Sequence, residues 1–267
     1  MGCSLLYAPD DSVTAGEKTN PDGAVLVDTG GAGDAIVTGD AKTDTGGGSF
    51  CQRAPIDVKL CDDFERETLL GPWSFSRIEA DSGASLTIER DDAGDGGRFL
   101  RAAIKAQTPV SRAYLRRLDL SPVTKRSRFA YRFRLNGLAD PSTQSMVMSF
   151  GSNTVVRNVV GVTITDGAPQ VFEQSFNASG LSSGYKGTPL QSFAFAVGVF
   201  YDVEMIVQVD TTPATITLKV DGNLVITKDV TLPFQPAGFS AFEAGLTYAQ
   251  PAPTVSIDID DVLAEAE

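Results

Sequence analysis

Two short stretches of this sequence place arginines at every second position, the spacing that puts side chains on one side of a β-strand. In the first stretch, Arg112, Tyr114 and Arg116 alternate with Ala113 and Leu115. A guanidinium group donates paired hydrogen bonds to a carboxylate or a sulfate, and a tyrosine ring can stack on a sugar ring. These three residues are therefore candidates for binding an anionic, ring-shaped ligand.

The second stretch adds Arg132 and Arg134, which share the polar side of a segment whose other side is apolar from Phe129 to Leu135. If the two strands are near neighbours with their polar sides on one sheet, four arginines and Tyr114 converge on a site for an acidic polysaccharide. The alternative is a solvated face on which the arginines balance surface acids. The sequence leaves both interpretations open.

The segment around these arginines, residues 98–134, is basic although the chain as a whole is acidic. It contains 11 of the 22 Lys and Arg residues and one acid, Asp119, whereas the whole chain has a formal net charge of −12. The acidic remainder would repel nucleic-acid phosphates, so we expect no nucleic-acid partner. The segment indicates binding rather than a reaction.

Composition excludes several kinds of site. The chain has no histidine, which removes Ser-His-Asp and Cys-His catalysis and every histidine-ligated metal site. Its 3 cysteines cannot provide the four thiolates of an all-cysteine zinc site. No apolar run reaches the roughly 18 residues that a membrane-spanning helix needs.

The first part of the chain, residues 1–49, is rich in Gly, Asp and Thr and offers little to bury. Such a segment is expected to stay a flexible linker, with the folded domain in residues 50–267. Its start, Met1-Gly2-Cys3-Ser4, resembles the end of a bacterial lipoprotein signal peptide, in which a small residue precedes the cysteine that receives the lipid. We therefore expect lipidation at Cys3, and the alternative is an ordinary start that contains a cysteine.

The cysteine count agrees with an exported protein. Lipidation of Cys3 would leave Cys51 and Cys61 as a pair, and we expect a disulfide that closes a short loop where the linker meets the domain. The alternative is two reduced, buried thiols in a cytosolic protein. The expected location is the bacterial cell envelope or cell surface, with membrane contact only through the lipid anchor.

From Phe50 onward the pattern is that of strands and turns. Apolar residues alternate with polar ones in 129–135, 203–209, 216–220 and 255–259, which is the period of a β-strand with one buried side. Asp221-Gly222 follows one of these segments and favours a tight hairpin turn. The sequence predicts an all-β fold, a two-sheet antiparallel β-sandwich.

Three segments resemble concanavalin-A-like and laminin-G-like jelly rolls. They are the paired strands of 200–210 and 214–225, the opening LCDDFE with Trp73 after a short gap, and the closing IDIDDV. The resemblance covers roughly residues 58–263. It implies a jelly roll with one concave sheet, the face on which relatives bind or cleave polysaccharide, and it does not by itself imply catalysis.

Two enzyme types of that superfamily have motifs that can be compared with this sequence. The jelly-roll β-glucanases use a Glu-x-Asp-x-Glu run, which this sequence lacks. The alginate-lyase-like jelly rolls are more similar: Arg112-Ala113-Tyr114-Leu115-Arg116 resembles their Arg-x-Glu-Leu-Arg strand, and 242–248 resembles their Tyr-Phe-Lys-Ala-Gly-x-Tyr strand. This resemblance implies that Tyr248 could protonate the leaving oxygen of a β-elimination.

The chain also departs from that lyase pattern. Tyr114 replaces the family's Glu, Glu243 replaces its Lys, and the catalytic Gln-x-His strand cannot exist without histidine. A tyrosine base would need its pKa lowered by nearby arginines.

The last strand contains a candidate ligand for a structural calcium ion. Asp261 is in phase with Val255, Ile257 and Ile259, so we expect it to point inward, and a buried carboxylate is costly without a cation or several donors. Relatives often hold calcium between the first and last strands, which implies Asp63 and Glu65 as further ligands. The alternative is that backbone amides cap Asp261 or a bulge turns it outward.

These observations lead to one main functional hypothesis and two alternatives. The main hypothesis is a non-catalytic domain that binds a polysaccharide or cell-envelope glycan, with Arg112, Tyr114, Arg116, Arg132, Arg134 and Tyr248 as candidate contacts. The alternatives are a degenerate or tyrosine-based polysaccharide lyase, and a structural envelope lipoprotein domain without a glycan ligand.

Overall fold

The computed structural model describes the chain from residue 50 onward, with short gaps. The described residues are 50–54, 58–79, 83–91, 96–105, 111–119, 121–137, 143–152, 155–165, 167–177, 179, 181–190, 193–234, 239–249 and 255–267. They form β-strands throughout, apart from turns, loops and a short 3-10 helix at Phe50–Arg53. The segment 1–49, with the predicted lipidation site Cys3, lies outside the described residues.

Eight strands form one antiparallel sheet, which we call sheet A. In chain order they are β1 (Val58–Asp62), β3 (Ser85–Arg90), β4 (Arg98–Ile104), β6 (Arg126–Leu135), β11 (Phe200–Gln208), β12 (Thr215–Val220), β13 (Asn223–Asp229) and β15 (Val255–Ala266). Across the sheet the order is β13-β12-β11-β6-β15-β4-β3, and β1 pairs with the second half of β15.

Seven strands form the second antiparallel sheet, sheet B. They are β2 (Phe75–Ile78), β5 (Ser111–Asp119), β7 (Thr143–Ser152), β8 (Val155–Thr165), β9 (Ala168–Phe176), β10 (Ser182–Pro189) and β14 (Phe239–Ala249). Their order across the sheet is β10-β9-β8-β7-β14-β5-β2.

The two sheets stack face to face and share one hydrophobic core. In β6 every second residue is buried, among them Phe129, Tyr131 and Phe133, as the alternating sequence requires. These side chains pack in the same cluster as Met148 and Phe242 of sheet B. The predicted all-β, two-sheet antiparallel sandwich is confirmed.

Local predictions from turn chemistry and cysteine spacing also hold. Asp221 and Gly222 connect β12 to β13 with positive φ angles of 50° and 74°, the conformation that a tight hairpin turn needs at both central positions. A disulfide joins Cys51 to Cys61, with their Cα atoms 5.6 Å apart, and ties the short helix to β1. Within the described ranges no helix is long and apolar enough to cross a membrane.

Candidate functional site

The two arginine-bearing strands of the basic segment lie in different sheets. Strand β5 pairs with β14 and β2 in sheet B, whereas β6 pairs with β11 and β15 in sheet A. Because the inner faces of both sheets form the core, the polar sides of β5 and β6 face opposite sides of the sandwich. The candidate residues therefore divide into two groups, and the four arginines do not converge.

The outward-facing side of sheet A, which we call the A face, carries Arg132 and Arg134. Asp258 is fully buried between two arginines: its oxygens lie 2.7 Å from Arg134 Nη2 and 2.7 Å from Arg101 Nε. Arg134 also lies over the Phe200 ring, with its Cζ 4.2 Å from the ring centroid. Arg132 Nη1 is 3.6 Å from an oxygen of Asp260.

Carboxylates outnumber arginines on the A face. Four arginines of this face each pair with at least one acid: Arg101, Arg128, Arg132 and Arg134. Their partners are Glu89, Asp91, Glu204, Asp258, Asp260, Asp261 and Glu265. The A face thus corresponds to the alternative interpretation, in which arginines balance surface acids.

The outward-facing side of sheet B, the B face, carries the other group. Ala113 and Leu115 belong to the core, so alternation turns Arg112, Tyr114 and Arg116 outward onto the B face. All three are nevertheless largely buried, with exposed fractions of 7%, 5% and 5%. They are held in place by neighbouring strands rather than spread into solvent.

Two neighbouring strands add charge to the B face. In β2, Arg77 pairs in register with Tyr114, and in β14, Glu243 pairs with Arg116. Arg116 Nε is 3.5 Å from the fully buried Glu243 carboxylate, and Arg112 Nη1 is 3.7 Å from Glu79. Among the described side chains, three arginines face two carboxylates here, and Arg77 also pairs with Glu79 at 3.3 Å.

A glycine lets β14 approach Tyr114 closely. Gly245 pairs in register with Tyr114 and has a φ of 132°, which L-residues rarely adopt. A Cβ at Gly245 would lie 2.4 Å from the Ala113 carbonyl oxygen and 2.6 Å from the Tyr114 Cα. Only glycine fits there without moving the backbone of β5.

The surroundings of Tyr114 do not favour a tyrosine base. Burial raises the pKa of Tyr114, and the Glu243 carboxylate raises it further. The nearby Arg116, Arg77 and Arg112 oppose this increase but do not overcome it. The condition stated from the sequence, a pKa lowered by arginines, is therefore not met.

Tyr248 lies on β14 and pairs in register with Gln144 of β7. Their neighbours Ala249 and Ser145 face inward, Ala249 in the core and Ser145 within 2.8 Å of the buried Tyr131 hydroxyl. Alternation therefore places Tyr248 and Gln144 on the B face, together with Arg112, Tyr114 and Arg116. Sequence reasoning missed Gln144, because only the strand pairing connects it to Tyr248.

The predicted calcium ligands are not gathered together. Asp261 has a positive φ of 49° at a bulge of β15, and its carboxylate lies 3.8 Å from Arg132 on the A face. Its expected inward orientation is wrong because the bulge breaks the alternation. Glu65 accepts a hydrogen bond from the Arg98 amide at 2.7 Å, and Asp63 accepts a weaker one from the Glu65 amide at 3.4 Å.

The buried carboxylate near the first strand is Asp62 rather than Asp63. Asp62 accepts hydrogen bonds from Trp73 Nε1 at 2.6 Å and from the Phe64 amide at 2.9 Å, and it forms an ion pair with Arg66. Across the described ranges, no group of three or more potential ligands that could hold a metal ion comes together. Calcium binding stays a prediction that the described contacts do not test.

Comparison with known proteins connects this fold to other β-sandwiches. An endo-β-1,4-glucuronan lyase from the fungus Trichoderma reesei matches with a TM-score of 0.58 and 12% identity, over 79% of this chain and 96% of that chain. A GlcNAcα1-4Gal-releasing endo-β-galactosidase from Clostridium perfringens matches with a TM-score of 0.54 and 13% identity, over 83% of this chain and 65% of that chain.

An alginate lyase also matches, with a TM-score of 0.51 and 12% identity, over 79% of this chain and 98% of that chain. No protein-family model and no curated protein matches the sequence. At these identities the likeness establishes the fold: the chain is a jelly-roll β-sandwich, and the resemblance to alginate-lyase-like jelly rolls is confirmed at that level.

Proposed function

We propose that the B face binds an acidic polysaccharide without cleaving it. The observation that carries this proposal is the group of three arginines, Arg77, Arg112 and Arg116, held at fixed positions around Tyr114, in contrast to the excess of acids on the A face. Guanidinium groups held in fixed positions suit the planar carboxylates or sulfates of such a polymer. The names of similar folds, two lyases and an endo-galactosidase, support a carbohydrate ligand.

Binding is favoured over cleavage for two reasons. The chain has no histidine to act as a base. The pKa of Tyr114 is raised by burial and by Glu243, so a smaller fraction of its hydroxyl is ionised at neutral pH than in an ordinary tyrosine. A binding role needs neither group to change its protonation.

The test measures binding of the full-length protein to polyuronate, sulfated and neutral polysaccharides by titration calorimetry at low and high salt. Arg112→Ala is expected to weaken binding to acidic polymers at least about tenfold, the loss of one charged hydrogen-bonded contact. Arg132→Ala is the matched control on the A face and should leave binding unchanged. Equal effects of the two substitutions, or unchanged binding in Arg112→Ala, would contradict the proposal.

A second candidate is a tyrosine-dependent polysaccharide lyase, which the register pairing of Tyr248 with Gln144 on the arginine-bearing face favours. An amide or a cation can neutralise a uronate carboxylate. An ionised tyrosine can take the C5 proton as the C4–C5 double bond forms and the C4–O bond breaks, and the same tyrosine can then protonate the leaving oxygen. Incubation with polyuronates should then produce absorbance from unsaturated uronates, and Tyr248→Phe should abolish it. If no absorbance develops, the lyase candidate is wrong.

We also propose that the protein is exported and anchored to the bacterial envelope through Cys3. The Cys51–Cys61 disulfide supports this, because such bonds persist in oxidising compartments. Metabolic labelling with a fatty-acid analogue should mark the wild type but not Cys3→Ala. If the protein is labelled but binds no glycan, the structural envelope domain becomes the better description.

A further inference from the structure

Beside the cationic part of the B face lies a group of uncharged polar side chains whose hydrogen bonding is incomplete within the described residues. The Gln144 side-chain nitrogen and oxygen, the Thr163 hydroxyl and the Tyr185 hydroxyl make no hydrogen bond of normal geometry within the part of the chain that the structure describes. Gln144 and Thr163 are fully buried, and Tyr185 is half-buried. A buried polar group without a partner destabilises the folded state, so each needs an explanation.

The strand register brings these groups together. Gln144 of β7 pairs with Thr163 of β8 on one side and with Tyr248 of β14 on the other. Val162 and Ile164 belong to the core, so Thr163 faces outward onto the B face. Burial raises the pKa of Tyr185, and a contact with the Thr163 hydroxyl partly opposes this, although the two hydroxyls form no hydrogen bond of normal geometry.

An aromatic stack forms the wall of this group. The Phe172 ring lies against Gly161, where a Cβ would be only 2.7 Å from the ring. Tyr185 stacks on Phe172 with ring centroids 5.9 Å apart and an angle of 19° between the planes. The half-buried Tyr185 ring is therefore held by its stack and reaches across the sheet from β10.

The chemistry of this group differs from that of the arginine cluster. One amide and two hydroxyls can donate to and accept from sugar hydroxyl groups, and an aromatic ring packs against the apolar side of a sugar. None of the three residues carries a charge at neutral pH. Thr163 is on β8 and Arg112 is on β5, three strands further along sheet B. At about 4.8 Å per strand, the two strands are roughly 14 Å apart.

We propose that Gln144, Thr163 and Tyr185 form a subsite for an uncharged sugar unit, next to the cationic subsite of the same face. The ligand would then be a mixed polysaccharide in which charged and uncharged units occur along one chain. This inference rests on the proposed function, because it needs the B face to bind a polysaccharide. It extends the proposed function by naming the class of polysaccharide that the B face prefers.

The experiment compares two kinds of probe on the full-length protein by titration calorimetry. Polygalacturonate contains only uronate units, whereas hyaluronan, chondroitin and heparosan alternate glucuronate with an uncharged N-acetylated sugar. We expect at least one alternating polymer to bind more tightly than polygalacturonate. Thr163→Val, which keeps the shape of the side chain but removes its hydroxyl, should weaken that binding about tenfold.

The controls separate this inference from the proposed function. Thr163→Val should leave polygalacturonate binding unchanged, whereas Arg112→Ala should weaken binding of both kinds of polymer. Thr217→Val, whose hydroxyl lies 3.1 Å from that of Thr227 in sheet A, should change neither. The melting temperature of Thr163→Val should be equal to or above that of the wild type, because an unpaired buried hydroxyl is removed.

Three outcomes would count against the inference. If Arg112→Ala weakens binding but Thr163→Val does not, the neutral subsite is wrong and the cationic site stands. If Thr163→Val lowers the melting temperature without changing affinity, an ordered water satisfies the hydroxyl and the subsite is equally wrong. If the wild type binds none of these polymers, both the inference and the proposed function fail.

Discussion

The A face and the B face begin from the same sequence pattern and end with different properties. Arginines at alternate positions project from β6 onto the A face and from β5 onto the B face. On the A face, the neighbouring β15 supplies Asp258 and Asp260 opposite Arg134 and Arg132. On the B face, the neighbouring β14 supplies one carboxylate, Glu243, and then Gly245 and Tyr248.

The difference teaches that the neighbouring strand decides what an arginine does. A guanidinium group between two aspartates forms structural ion pairs, and its N–H donors are already used. The described neighbours of the B-face arginines include fewer carboxylates, Glu79 and Glu243, and the others, such as Tyr114 and Gly245, are uncharged.

Gly245→Ala should be the most damaging single change on the B face. The positive φ and the overlap with the backbone of β5 each cost about 1–3 kcal/mol, so we expect a loss of about 4 kcal/mol in the free energy of unfolding, measured by chemical denaturation. Gly198→Ala is the matched control, because Gly198 also has a positive φ, of 82°, but no atom within 4 Å of its would-be Cβ. Equal losses would show that close approach to Tyr114 does not matter.

Asp258→Asn should be the most damaging change on the A face. It would leave Arg101 and Arg134 without their shared, fully buried counter-charge, at a cost of about 3 kcal/mol in the free energy of unfolding. Glycan affinity should not change while the protein remains folded. Asp229→Asn, at the exposed end of β13, is the control and should alter stability by less than about 0.5 kcal/mol. A loss of glycan binding in folded Asp258→Asn would contradict the division into two faces.

Lowering the pH should weaken the contact that Glu173 makes between the two sheets. This buried carboxylate of β9 lies 2.6 Å from Lys228 of β13 and accepts hydrogen bonds from the Thr231 and Leu232 amides at 2.7 and 2.9 Å. Burial alone would raise the pKa of Glu173, but Lys228 and these donors together lower it. Its stabilising contribution is therefore fully present above the unfolded-state pKa and is lost as the pH falls through the folded-state pKa.

Denaturation curves of the wild type and Glu173→Gln, taken from about pH 7 down to about pH 3, should converge as the carboxylate of the wild type becomes protonated. Curves that stay parallel over this range would mean that Glu173 does not hold the sheets through its charge.

Salt should affect the two faces differently. Binding of an acidic polysaccharide at the B face should weaken as the ionic strength rises, whereas the buried ion pairs of Asp258 on the A face should be screened much less.

Calcium should have the smallest effect. Asp261 lies beside Arg132 and is separated from an inward position by a bulge, so we expect calcium to raise the melting temperature only slightly. Asp63→Asn is the comparison variant. A large rise in the wild type that disappears in Asp63→Asn would establish a calcium site between the first and last strands and would return Asp63, Glu65 and Asp261 to the role that the sequence suggested.

Much of the fold could be predicted because it depends on local rules. The period of two from Phe129 to Leu135 and in the strands β11, β12 and β15 identifies buried sides without any knowledge of partners. The Asp-Gly dipeptide at 221–222 predicts a tight turn, because these residues tolerate the positive φ that both positions adopt. The disulfide is predicted because lipidation of Cys3 would leave Cys51 and Cys61 as a pair. Each of these signals lies within about a dozen neighbouring residues.

The site could be predicted only in part, because its charges are balanced across strands that are distant in the sequence. The sequence by itself determined the alternating strands and put Arg112, Tyr114 and Arg116 on one side of β5. Only the tertiary structure decided that β5 and β6 belong to opposite sheets, that Gln144 lies beside Tyr248, and that Asp258 rather than Asp261 is buried. The physical reason is that side-chain direction follows from the local backbone, whereas the partner that each side chain meets is set by long-range pairing.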